Sequence, residues 1–152
     1  MLTTLRTDQD LSLKFIIGGI VAMAALMVIV PVIPISPMGA ALVVIFGFFF
    51  ATVSSRIVGI VGSSNNPVSG MTIASLLFIS IIFVANGNVG QEGMMAVIAI
   101  GSIICIVAAI AGDTSQDLKT GYLLGATPKK QQIGEIIGVI AAGLAISGVL
   151  YL

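Results

Sequence analysis

The stretch Gly112-Asp-Thr-Ser-Gln-Asp-Leu-Lys-Thr-Gly-Tyr-Leu-Leu-Gly-Ala-Thr-Pro-Lys-Lys-Gln-Gln132 decides how this chain is read. It is polar, and it carries Lys119, Lys129 and Lys130, half of the chain's basic residues. It lies between two apolar runs, 94–111 and 133–152. Each run is close to the ~20 helical residues that cross a bilayer core. The stretch is too patterned for a slack connector. Asp113 and Gln116 have the spacing of a capping box, so a short helix is expected from Thr114 to about Gly125 with Asp113 as its N-cap. Thr127-Pro128 then restarts a helix. Lys129 and Lys130 fall in its first turn and oppose its dipole, which points to anionic headgroups or to topology as the reason for their placement.

Outward from that stretch, the chain contains three more apolar runs. The five spans are expected at about 13–33, 38–55, 67–85, 94–111 and 133–152, with Pro31, Pro34 and Pro37 ending the first. Composition agrees: 58% of the 152 residues are hydrophobic and 8% are charged, and mean hydropathy is +1.21. A soluble domain carries about 25% charged residues. The expected fold is therefore all-α, a polytopic transmembrane helix bundle read as one membrane domain over 1–152. Broken or re-entrant helices are expected near 62–70 and 112–132. The N-terminal residues mix Arg6 with Asp8 and Asp10 and do not read as a cleaved signal peptide.

Charge placement orients the bundle. With the N-terminus cytoplasmic and the spans alternating, Arg6, Lys14, Arg56, Lys119, Lys129 and Lys130 all fall inside, and the outer connectors hold only Glu92. That is the positive-inside pattern. The balance of six basic and six acidic residues leaves no basic patch for a nucleic acid. The absence of histidine removes His-based metal sites and Ser-His or Cys-His catalysis. Cys105 sits in an apolar run and reads as a small packing residue. Neither the Gly-x-Gly-Asp motif of aspartyl intramembrane proteases nor the rhomboid Gly-x-Ser-Gly is complete, and no phosphate-binding loop occurs. The chain is not expected to be an enzyme, and no cofactor or metal site is expected.

Two polar constellations remain as candidates. In the first, Asn66 is expected as an N-cap and Pro67 as the first helical residue, behind a non-helical Gly62-Ser-Ser-Asn65. Unwound backbone near membrane depth is tolerated only where protein or water satisfies it, and a helix N-terminus favours an anion. Ser63, Ser64, Asn65, Asn66 and Ser69 are thus candidate substrate groups, as is Arg56, the one charge between Lys14 and Glu92. A capped inner loop, and an Arg56 that snorkels to the interface, are the plain counterparts. In the second, Asp113, Asp117 and Glu135 are candidate proton carriers, because carboxylates at membrane depth often are. Capping by Asp113, an Asp117 that faces water, and an interfacial Glu135 are the plain counterparts there. Small residues at four-residue spacing, Gly47 with Ala51, Gly121 with Gly125 and Gly134 with Gly138, suit close helix packing.

The two motifs Ser54-Ser-Arg-Ile-Val-Gly…Asn-Asn-Pro-Val-Ser-Gly-Met-Thr72 and Ala111-Gly-Asp-Thr-Ser-Gln-Asp-Leu-Lys-Thr-Gly-Tyr-Leu-Leu-Gly-Ala-Thr-Pro-Lys-Lys-Gln-Gln132 resemble the oligopeptide transporter (OPT) family, most closely its prokaryotic and yellow-stripe branches. The likeness covers nearly the whole chain. Members of that family are several times longer, so the chain resembles an interior portion of the second half, with the remainder of the polypeptide as its partner. The Lys-Ile-Pro-Pro-Arg motif of the peptide-transporting eukaryotic branch is absent. The resemblance implies a proton-coupled transporter of small peptides or metal–chelate complexes in a plasma or inner membrane. Gln116, Gln131 and Gln132 would join the serines and asparagines in satisfying the polar substrate. The competing expectation is a small membrane scaffold or subunit that does not transport.

Overall fold

A computed structural model describes residues 5–30 and 35–152. The described residues form five α-helices: α1 Leu13–Ile29, α2 Pro37–Val61, α3 Val68–Ala85, α4 Gln91–Leu123 and α5 Pro128–Tyr151. All five are long and apolar enough to cross a membrane. The chain is an all-α transmembrane helix bundle, as its hydropathy requires: a backbone group in lipid must find its partner within its own segment. The expected end of the first span, with Pro31 and Pro34, lies outside the described residues.

The chain divides into two compact units, Lys14–Gln116 and Met1–Leu13 with Asp117–Leu152. The core of the first is built from three stripes at helical spacing. Val43, Phe50, Ser54 and Val58 come from α2, Met71, Ser75, Ile79 and Phe83 from α3, and Ile100, Ile104 and Ala108 from α4. Residues four apart stack on one helix face, so each helix turns a single row inward. Gly47 of α2 is buried in this row, and a Cβ there would stand 3.8 Å from Val107. The buried hydroxyl of Ser75 donates to Thr72 O at 2.8 Å, which satisfies it within its own helix. In the second unit α5 has no buried residue, and its Gly134 and Gly138 face open space.

Turn chemistry sets the helix ends. Ser36 caps α2, accepting from Gly39 N at 3.1 Å, with Pro37 in the first turn. Gly87 (φ +74) and Gly125 (φ +73) each end a helix in the left-handed region that glycine adopts without steric cost. Both make a Schellman motif. Asn88 N donates to Phe83 O and Gly87 N to Val84 O, and Ala126 N donates to Gly121 O and Gly125 N to Tyr122 O.

Three expectations are corrected. First, the helix that holds the fourth apolar run does not stop at Ala111. Helix α4 runs unbroken through the polar stretch to Leu123, and the break falls at 124–127. Asp113 is therefore in mid-helix and cannot be an N-cap, and the Asp113–Gln116 capping box does not form. Gly112, at the start of the polar stretch, is a contact residue. It is buried, and a Cβ there would collide with the Asn66 amide and lie 2.9 Å from Ser54 Oγ and from Val58 Cγ2. Second, α2 runs past Ser55 to Val61, which places Arg56 inside the helix. Third, Pro67 rather than Asn66 takes the cap position of α3, with no side-chain cap bond. Asn66 is held elsewhere, by α2 and α4.

Candidate functional site

Within the Lys14–Gln116 unit, a polar layer joins the α2–α3 connection to α4. Gly62 (φ +87) ends α2, and a single 3-10 turn, Ser63–Asn65, leads to Asn66. Ser54 is fully buried and donates to Ala108 O at 2.5 Å. Asn66 Nδ2 donates to Ser54 Oγ at 2.8 Å and to Ala108 O at 3.5 Å. Ser55 Oγ donates to Ala111 O at 3.1 Å, and Ser115 Oγ returns the link to Ser55 O at 3.1 Å. Gln116 Oε1 accepts from Ser63 N at 2.8 Å. The hydroxyls thus spend their donors on helix carbonyls, the usual way to keep small polar groups in a membrane interior.

Of the residues expected to meet substrate, this layer brings together Ser63, Asn66 and Gln116. Ser64, Asn65, Ser69 and Arg56 are exposed and stand outside it. Asn65 Nδ2 reaches back to Val61 O at 3.4 Å. Ser54, Ser55, Ser115 and Gly112 complete the layer and were missed as site residues. A signal existed for Ser54: it continues the row Gly47, Phe50, Ser54, Val58, in which every other member packs inward. One atom is unsatisfied. Asn66 Oδ1 is buried and accepts no hydrogen bond. A buried amide oxygen without a donor costs ~1–3 kcal/mol, so it calls for an N–H or O–H from outside the described residues.

Within the other unit, the end of α4 and the start of α5 form a cavity of about 360 Å³ that is open on one side. Asp117, Thr120, Gly121 and Leu124 line it from α4, Ala126 from the turn, and Gln131 and Glu135 from α5. The α4 residues are three and four apart and so share a face. Thr120 and Gly121 were also missed, and that spacing from Asp117 was the available signal. Gln131 Nε2 donates to Asp117 O at 3.2 Å, and its Oε1 is buried without a donor. Gly121 makes room for that amide, since a Cβ there would overlap it. No lining residue is basic. The cavity offers two carboxylates, an amide oxygen and a hydroxyl, a set that suits a proton or a cation with N–H donors.

Gln132 does not face this cavity. Its Oε1 accepts from Leu11 N at 2.9 Å, and its Nε2 donates to Asp10 Oδ1 at 3.3 Å. Asp113 is exposed on α4. Among the described residues no three His, Cys, Asp or Glu side chains converge as a metal ion would need.

The family model described as OPT oligopeptide transporter protein matches residues 3–152. A Haemophilus influenzae protein named "Putative oligopeptide transporter" is 39% identical over 167 residues, covering 95% of this chain and 26% of that protein. A Saccharomyces cerevisiae protein of the same description is 35% identical over 124 residues, covering 81% of this chain and 16% of that protein. The chain thus spans about a quarter or less of the length of these relatives. No solved structure matches.

Proposed function

The chain belongs to the oligopeptide transporter family, and from that membership we propose that it is one membrane domain of a longer secondary active transporter, moving small peptides or metal–chelate complexes with protons. The single observation that carries the reading is the family match across residues 3–152. The names of the two relatives favour peptides; the missing Lys-Ile-Pro-Pro-Arg motif keeps metal chelates in the substrate class. The chemistry is transport across a plasma or inner membrane, not catalysis.

In this reading the carboxylates load and release the proton. Asp117 and Glu135 line one cavity from two helices. Asp113 stands one turn before Asp117. Counting ~20 residues from Met94, it lies at the inner edge of the hydrocarbon. The substrate groups are Arg56, Ser63, Ser64, Asn65, Asn66, Ser69, Gln116, Gln131 and Gln132, with the rest of the transporter closing the path around them. Asn66 Oδ1 and Gln131 Oε1 support this assignment best, because each is a buried acceptor that still lacks a donor. A peptide backbone or an amino-acid-like chelate supplies such donors. Arg56 would meet a carboxylate.

The test is uptake by the full-length polypeptide in proteoliposomes with an imposed proton gradient. Labelled small peptides and iron chelates are offered separately. Accumulation that follows the gradient is expected, and Asp117→Asn or Glu135→Gln is expected to abolish the gradient dependence while leaving substrate exchange. Gradient-driven uptake that survives Asp113→Asn, Asp117→Asn and Glu135→Gln overturns the coupling assignment. If neither substrate class moves, the chain reads instead as a scaffold within a membrane complex.

A further inference from the structure

The residues ahead of α1 do more than enter the membrane. They lie across the α4–α5 turn, about 120 positions later in the chain, and touch both helix ends that meet there. Arg6 Nη2 donates to Gly125 O at 2.6 Å. Gly125 closes the Schellman turn of α4, so the guanidinium sits at the carbonyl end of a 33-residue helix, where a cation is favoured. Gln9 O accepts from Lys129 N at 2.8 Å. Lys129 is in the first turn of α5, whose leading N–H groups have no partner within the helix. Thr127 holds the cap position there without a side-chain cap bond, and the Gln9 carbonyl takes that role. Gln132 then grips the two residues that follow Gln9, through Leu11 N and the Asp10 carboxylate. One short segment therefore supplies a cation to the negative end of one helix and a carbonyl to the positive end of the next.

The same helical turn of α5 faces two ways. Gln132 holds the segment, while its neighbour Gln131 lines the cavity with Asp117 and Glu135. We propose that residues 6–11 form a positioning strap that holds the α4–α5 turn and so sets the opening of this cavity, with Arg6 and Gln132 as the positioning residues. The strap has no buried apolar residue to hold it: its 3-10 turn, Arg6–Asp8, buries none. Of residues 6–11 only Thr7 and Leu11 are half-buried and the rest are exposed, so polar bonds are its main hold, and segments held that way open locally at small cost. This holds whatever the cavity binds, and its test is independent of transport.

The experiment uses the protein in proteoliposomes, with Cys105→Ala and Glu135→Cys, and reads the rate at which a small water-soluble thiol reagent reaches position 135, half-buried at the cavity wall. Gln132→Glu sets a second carboxylate against Asp10, and Arg6→Ala removes the cap of α4. Each is expected to raise labelling by about fivefold, the factor carried by one lost cap. Adding Asp10→Asn to Gln132→Glu exchanges donor and acceptor across the pair, and Arg6→Lys restores a cation. Both are expected to return labelling toward the starting rate, a rescue that a merely structural defect would not give. Amide exchange supplies a second measurement on the unsubstituted protein, in which the N–H groups of Leu11 and Lys129 are expected to be protected. Free exchange at those two amides overturns the proposal, as does a double variant no better than Gln132→Glu alone.

Discussion

Single residues in this chain act through what they exclude as much as through what they bond. Gly112 is the clearest case. It lets α4 approach Asn66, Ser54 and Val58 so closely that even a methyl group would collide. Gly112→Ala is expected to destabilise the protein by ~1–3 kcal/mol, the usual cost of overpacking. Gly70→Ala, where a Cβ meets nothing within 4 Å, is expected to be neutral or to gain up to ~1 kcal/mol of helix propensity. Thermal unfolding of the two variants in detergent compares them directly. Asn66 gives a second contrast. Asn66→Ala removes the bond to Ser54 Oγ together with an unsatisfied oxygen, so a loss of only ~0.5–1 kcal/mol is expected. Asn66→Asp retains the size and forces a charge beside the Ala108 carbonyl, and its cost is expected to be larger. An equal loss in both variants would show that the layer does not desolvate this side chain.

Among the elements, α4 carries the main lesson. Its 33 residues extend for about 50 Å at 1.5 Å per residue, well beyond a hydrocarbon core of ~30 Å. Its polar end thus continues as helix past the lipid. Amide exchange is expected to find 112–123 as protected as the apolar turns before it. Rapid exchange beginning at Gly112 would instead support a break there. The true end depends on Gly125. Any other residue there must adopt positive φ, so Gly125→Ala is expected to cost ~1–2 kcal/mol and to raise proteolysis at the adjacent Lys129 and Lys130. Gly134→Ala, which faces open space, serves as the control. The sequence pointed to a helix end near Gly125 and a new start at Pro128, because both are local backbone preferences. It pointed wrongly to a start at Asp113, because the capping-box spacing also occurs by chance inside a helix. Only the contact with Asn66 distinguishes a packing glycine from a breaking one.

For the molecule as a whole, the spans and the strap meet in one topological statement. Four spans separate Gln9 from Ala126, so the two lie on the same face if the spans alternate, and the strap's hydrogen bonds join that neighbourhood directly. By the positive-inside rule the face expected to hold the lysines and arginines is expected to be the cytoplasmic one. Single cysteines at Gln9 and Ala126 are therefore expected to react with an impermeant thiol reagent from the cytoplasmic side only, and one at Asn88 from the opposite side only. Labelling of Gln9→Cys and Ala126→Cys from opposite faces would overturn the alternation.

Hydropathy is a sum over neighbouring residues, so a linear reading suffices for what it controls: an all-α membrane bundle with five helices long and apolar enough to cross a bilayer. The motifs around Asn66 and Gly112 likewise carried the family, because they are contiguous strings. Which polar groups meet is a different kind of property. The bonds from Asn66 to Ser54, Ser63 to Gln116, Arg6 to Gly125 and Leu11 to Gln132 join residues 12, 53, 119 and 121 positions apart. Helices in lipid gain little from burying apolar surface against each other, so small residues and polar bonds select their packing. Those choices arise only when the helices are brought together, and they decided that Gly112 packs, that Asn66 clasps two helices instead of capping one, and that Gln132 holds the strap while Gln131 faces the cavity.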